Sequence, residues 1–320
     1  VYPLFANSLR SANRQTVSEH MQDTGRLFEE FSRVASKNEY AWFPIHRSAE
    51  EIAEVRPENR MIGLPYTKYM NSIMRVNQSC AMIMMSAKKA RELGIPKSKW
   101  IFMYSGACLN DIWNVSDRVD YYSSPAIKAC TDSVFDLANT SINHVDFIDL
   151  YSCFPSAVQI AMKELSLDAN DPRGLTITGG LPYFGGPGNN YVTHSIAEMM
   201  NKVRANPGSK GLVTANGNYV TKQSAGIYCT EPTEEPFSPK DPKIYQAEID
   251  ADKGPSVTEL ANGDATIETY TIMHDRKGPS FGILFGRLFD GSRFIANTPD
   301  DLNLMLEMTS NDYLGAEGKV

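Results

Sequence analysis

Cysteine is scarce in this 320-residue chain and badly placed for cross-linking: five residues, at 80, 108, 130, 153 and 229, with no Cys-x-x-Cys pair. An odd, scattered set argues against a disulfide framework and against a zinc centre, so free thiols and no metal are expected. Positive charge is also short. There are 31 Lys and Arg against 38 Asp and Glu, a formal charge of −7, and the pI is near 5.4. That balance opposes the basic field that nucleic acid or an anionic membrane selects. No apolar run approaches the ~20 residues of a membrane span and no charged-then-apolar leader stands at the front, so the expected location is the cytoplasm. The Gly-Lys-Ser/Thr ending of a phosphate loop is missing, and no internal repeat is visible.

What is present is ample material for a core. Hydrophobic residues make up 42% and charged residues 22%, the composition of a globular chain, and the length exceeds the roughly 250–300 residues at which single cores stop growing. The chain opens on the apolar Val1-Tyr-Pro-Leu-Phe5 without a methionine, which reads as the interior of a longer sequence. Thr16-x-x-Glu19 and Ser48-x-x-Glu51 are capping boxes, so residues 1–65 are expected to be helix and loop. Cys80–Met85 and Trp100–Tyr104 are apolar runs of strand length around a Ser86-capped helix, the pattern of a crossover joining parallel strands. A helix from Ser124-Pro125, a strand over 145–150, helices over 155–167 and 191–203, and two closing strands from Gly211 and Tyr219 complete a layered unit. The acidic, proline-rich 231–242 reads as a connector. Beyond it, 267–274, 281–289 and 293–296 read as a β-meander with an Asp290-Gly291 turn, before a last helix at Thr298-Pro299. The fold class is therefore α/β: a mixed five-stranded sheet with helices over 66–235, then a small antiparallel, OB-like β domain over 243–320.

Three loops could carry chemistry. Thr178–Asn190 holds Gly179, Gly180, Gly185, Gly186 and Gly188 with Pro187; it either lets backbone approach a ligand, with Asn189 or Asn190 capping the next helix, or is a tight packed loop. Leu150-Tyr-Ser-Cys-Phe-Pro155 follows a strand end, where Tyr151 and Cys153 could present a hydroxyl and a thiol, though a free cysteine is more often a small buried hydrophobe. Thr214–Lys222 joins the closing strands through an Asn-Gly turn, with Asn216 serving the site or only the hairpin. His194, in the first turns of a helix, is either a proton carrier or a structural histidine.

In order, Asn143–Phe154, Gly179–Asn189 and Gly211–Gly217 resemble the second half of the thiolase superfamily. With Tyr2-Pro-Leu-Phe, Asn59-Arg-Met-Ile-Gly and Tyr151–Gln159, the chain is similar to type-1 thiolase-like proteins, often named acetyl-CoA acetyltransferase, which carry an extra C-terminal β domain. The resemblance spans essentially the whole chain and implies an acyltransferase-type protein or a degenerate binding scaffold. It implies an acyl-coenzyme A thioester as substrate or ligand, no other cofactor, and a homo-oligomer. It also places three departures from the family pattern. The family's Asn-Glu-Ala-Phe meets Tyr151-Ser-Cys-Phe154, its Gly-His-Pro meets Gly185-Gly186-Pro187, and its Cys-x-Gly falls near Ala215-Asn216-Gly217. Tyr151, Cys153, His194 and Asn216 are then the candidate catalytic residues, and Gly185, Gly186, Pro187, Gly188, Asn189 and Asn190 the candidate ligand-binding loop.

Overall fold

The computed structural model describes residues 1–233 and 241–320, so most of the expected 231–242 connector lies outside the described residues. Three helices come first: α1 (Tyr2–Ala12), α2 (Val17–Ala35) and α3 (Ala49–Ala53). Both capping boxes form. At the start of α2 the Glu19 N–H donates to Thr16 Oγ1 over 3.2 Å while the Thr16 N–H donates to Glu19 Oε2 over 2.8 Å, satisfying two otherwise orphaned donors. Two short strands follow, β1 (Met61–Gly63) and β2 (Tyr66–Thr67).

The middle of the chain runs α4 (Ala87–Glu92), β3 (Phe102–Asn110), α5 (Pro125–Leu137), β4 (Phe147–Asp149), α6 (Pro155–Leu165), α7 (Tyr191–Ala205), β5 (Lys210–Gly217) and β6 (Lys222–Cys229). Its sheet has the order β3-β6-β5-β4, antiparallel except for the parallel pair β4 and β5. Leu109, Leu212, Ala225 and Ile227 point to one side, into the main core with Ile127, Cys130 and Val134 of α5. On the other side α7 lays Val192, Ile196, Met199 and Val203 against Val213. The mixed sheet flanked by helices is thus present, with four strands among the described residues.

The expected fifth strand is not there. Residues 80–85 belong to no strand, and Met82, Ile83 and Met84 are exposed, so the crossover and parallel pair inferred over 80–104 are absent; β3 pairs antiparallel with β6 instead. An apolar run of strand length states a tendency to be buried but does not name the ladder that would receive it. Beside Met103, the small residues Gly106, Cys108, Ser224 and Gly226 line a cavity of about 610 Å³ over the same sheet.

The last third runs α8 (Pro242–Ala251), β7 (Asp264–His274), β8 (Pro279–Leu288), β9 (Arg293–Asn297), α9 (Leu302–Ser310) and β10 (Glu317–Lys319). The expected meander forms, and β1 and β2 extend it: the second sheet has the order β2-β1-β7-β8-β9 with β10 also on β7, antiparallel throughout. Helix α1 is tied to it by Asn7 Nδ2, which donates to the Leu64 and Tyr270 carbonyls over 2.9 and 2.7 Å. Two fully buried arginines complete the seam. Arg10 grips Asp312 with two hydrogen bonds of 2.7 and 2.9 Å. Arg293 holds Glu268 through two of 2.7 Å and donates to the carbonyls of Ser116, Arg118 and Val119.

Candidate functional site

Parallel pairing of β4 with β5 brings the segment after Asp149 alongside Thr214, and the Tyr151 N–H donates to Thr214 Oγ1 over 2.9 Å. The chain then turns into α6, with Pro155 in its first turn and Phe154 stacked on Tyr2 at 4.2 Å between ring centroids. This places the Cys153 thiol in a closed nook. It shares a hydrogen bond with the Tyr2 hydroxyl and lies 3.9 Å from Asn216 Nδ2. Burial pushes the thiol up to about 12, because a thiolate there would lose its solvation with no cation to replace it. The Tyr151 and Tyr2 phenols are also raised, chiefly by burial and then by Cys153.

Of the four candidate catalytic residues, Tyr151, Cys153 and Asn216 are brought together and His194 is not. A chain of rings separates it from them. His194 meets Phe184 at 5.2 Å, Phe184 meets Tyr191 at 6.0 Å, and Tyr191 meets Tyr151 edge-on at 5.6 Å. Its Nε2 is shut away from solvent without a hydrogen-bond partner, and burial lowers its affinity for a proton. Asn216 is not in a turn. It sits in β5 opposite Gln223, its Oδ1 buried without a partner, while the hairpin is closed by Asn218, Tyr219 and Val220, all at positive φ. The Asn-Gly signal misplaced the turn because three left-handed residues follow it, a conformation that sequence seldom announces for tyrosine and valine.

The glycine-rich loop is pressed inward. At Gly179, with φ +104°, an added Cβ would lie 2.4 Å from the Ala35 Cβ and 2.5 Å from its nitrogen; at Gly185, φ +120°, it would lie 2.3 Å from Gln78 Oε1. These glycines let the loop close against α2 and against Gln78, which is the packing alternative. Gly179→Ala is expected to cost roughly 2–5 kcal/mol, the strain of a left-handed alanine plus overpacking; a melting temperature within a degree of the parent would contradict this. Gly186 is buried, and its N–H donates to the Ile73 carbonyl over 2.8 Å. Pro187, Gly188 and Asn189 lead out to the surface, Gly188 and Asn189 being exposed. Asn190 occupies the N-cap position of α7 but makes no capping hydrogen bond with its side chain. Its side chain instead brackets Cys80, accepting from the N–H over 2.7 Å and donating to the carbonyl over 3.0 Å. The loop meets the Tyr151 cluster through Leu181, whose N–H donates to Ser152 Oγ over 3.3 Å, and through Phe184, which packs on Tyr191. The space beside Tyr151, Thr214 and Asn216 is about 10 Å³, room for one water.

Sequence reasoning missed Tyr2, Tyr191 and the segment 40–43. The Trp42 and Phe43 N–H groups donate to the Phe184 and Tyr183 carbonyls, and Gln78 Nε2 donates to both Tyr40 O and Phe184 O. The loop is thus clamped from both sides; Tyr40 and Trp42 remain exposed there. Among the described residues no group of three or more His, Cys, Asp or Glu could hold a metal, and no helix is long and apolar enough to cross a membrane.

Residues 245–320 match the family described as "Thiolase-like protein type 1 additional C-terminal domain". No curated protein matches the chain. Among solved structures, a monomeric SCP2-thiolase-like protein type 1 from Mycobacterium smegmatis is similar at 40% identity over 99% of this chain and 69% of its own, with a TM-score of 0.91. The dimeric peroxisomal thiolase of Saccharomyces cerevisiae shares the fold at 11% identity, 72% of this chain and 59% of its own, TM-score 0.52. So does an Ltp2–ChsH2(DUF35) aldolase at 17%, 71% and 62%, TM-score 0.53. The chain belongs to the SCP2-thiolase-like proteins of type 1, within the thiolase superfamily.

Proposed function

We propose that this chain holds an acyl-coenzyme A thioester as a ligand in a thiolase-type site that lacks the groups for acyl transfer. One observation carries the reading: the Cys153 thiol, pushed up by burial to about 12, has the Tyr2 hydroxyl and the Asn216 amide as its side-chain partners, neither of them a base, while the loop position matching the family's histidine is Gly186. Loss of a single oxyanion-hole donor costs about 3–4 kcal/mol of barrier, and here base and acid are replaced as well. The reading favours the binding scaffold over the acyltransferase. The apolar surface at Met82–Met84 supports a homo-oligomer in cytoplasmic conditions, whereas the M. smegmatis relative is a monomer.

Acetyl-coenzyme A at a hundredfold its dissociation constant is expected to stabilise the fold by about 2.7 kcal/mol, raising the melting temperature, while acetoacetyl-coenzyme A is consumed no faster than in buffer. An unmoved melting temperature counts against ligand binding, and steady thiolysis counts against the loss of chemistry.

A further inference from the structure

Two carboxyls are buried among the described residues, Asp111 and Asp149. Asp111 feels the charge of Arg118, whereas the charged group that acts on Asp149 is another acid, Glu198 of α7. Asp149 closes β4. Its Oδ1 accepts from Thr176 Oγ1 and from the Ile177 N–H, each over 2.8 Å, while Oδ2 is shut away from solvent without a hydrogen-bond partner. Ser195 of α7, whose own hydroxyl is likewise unpartnered, faces that carboxyl, and Tyr191 adjoins it. The same group of hydroxyls carries the entry to the glycine-rich loop. The Gly179 N–H donates to Thr176 Oγ1 over 3.0 Å, the Gly180 N–H donates to Thr178 Oγ1 over 3.2 Å, and Thr178 Oγ1 lies 2.7 Å from the Tyr191 hydroxyl. Both stems of the loop, 176–178 before it and Tyr191 with Ser195 after it, therefore converge on one carboxyl group.

A carboxylate closed off from water, with no cation beside it, loses its solvation and gains nothing in return, so such a group keeps its proton. As the neutral acid, Asp149 has an O–H on Oδ2 to donate, and Ser195 Oγ stands there to accept it, while the donors of the loop stem stay on Oδ1. We propose that Asp149 is a proton-held latch: as the neutral acid it joins the stem of the glycine-rich loop to α7, and its ionisation frees the loop from Tyr191, the ring that walls the Tyr151 cluster. The latch does not depend on which ligand the site takes. The titratable groups that face it are Tyr191 and Glu198, both on α7; the loop stem presents threonine and isoleucine, and β5 presents Val213 across the ladder. Burial raises Asp149 above its ordinary value, as it does Glu198 and the Tyr191 phenol. A carboxyl raised by folding contributes stability that is present below its unfolded value and lost as pH rises through the folded one.

The test compares the full chain with Asp149→Asn, whose amide keeps the Oδ1 acceptor and supplies a permanent N–H donor in place of Oδ2. Infrared spectra at pH 7 are expected to show a protonated-carboxyl band in the parent that the variant lacks. Between pH 5 and pH 8 the folding equilibrium of the parent, divided by that of the variant, is expected to fall by up to about tenfold per pH unit. Amide exchange over 179–185, compared at equal pH, is expected to become about tenfold or more faster in the parent than in the variant by pH 9. Ser195→Ala, which removes the acceptor on α7, is expected to speed that exchange already at pH 6. A band that survives Asp149→Asn, a stability ratio that stays flat or rises with pH, or loop exchange equal in the two chains at pH 9 overturns the latch. Exchange in Ser195→Ala no faster than in the parent at pH 6 overturns it as well.

Discussion

Cys153 is expected to alkylate at least a thousandfold more slowly than Cys108 under native conditions at pH 8. Burial pushes the Cys153 thiol up to about 12, so the thiolate that alkylates is scarce at pH 8, and the buried sulfur is closed to the reagent as well. Cys108 is exposed on the cavity side of the four-stranded sheet, while Cys130, Cys153 and Cys229 are buried. Iodoacetamide followed by peptide mapping should show Cys108 modified first and Cys153 modified only at the rate of unfolding. Labelling of Cys153 within tenfold of Cys108 would mean that the nook opens readily and that the thiol is activated by something other than the groups around it.

Replacing Glu268 by leucine is expected to destabilise the chain by about 3–5 kcal/mol, because it leaves Arg293 buried and unpaired. That corresponds to a fall in melting temperature of roughly 6–20 °C. Arg293 is fully buried, and it also holds three carbonyls of the 116–119 segment, so the loss should be felt on both sides of the seam. Burial alone would raise the Glu268 carboxyl, but hydrogen bonds from Arg293 and Arg287 outweigh it and hold the group below its ordinary value. A depressed folded-state pKa contributes stability above the unfolded pKa, ~4.5, which is lost as pH falls through the folded value. Glu268→Leu should therefore lose part of the parent's acid sensitivity below pH 4.5. Equal melting temperatures for parent and variant would show that the ion pair does not hold the second sheet to the 116–119 segment.

What was legible in the sequence is local. Thr16 with Glu19, Ser48 with Glu51 and Ser124 with Pro125 mark helix starts by groups a few residues apart, and each forms as read. The alternation of Phe281, Ile283 and Phe285 marked β8, since period two reports one buried face without reference to its partner. What failed depends on distant neighbours. Cys80–Met85 reads as a buried strand yet finds no ladder. Nothing in the local sequence marks Arg10 and Arg293 as buried, because only the fold brings Asp312 and Glu268 to them. In the site, the resemblance located Tyr151, Cys153 and Asn216 within one cluster, but spacing along α7 could not show that Phe184 and Tyr191 stand between His194 and Tyr151.

Mass spectrometry of the chain after incubation with acetyl-coenzyme A tests at once whether the site binds the thioester and whether it reacts with it. Under native spray conditions a species heavier by one coenzyme A thioester is expected, and after denaturation the unmodified 35.6 kDa chain. A stoichiometric acetyl group surviving denaturation on Cys153, and lost in His194→Ala, would contradict it.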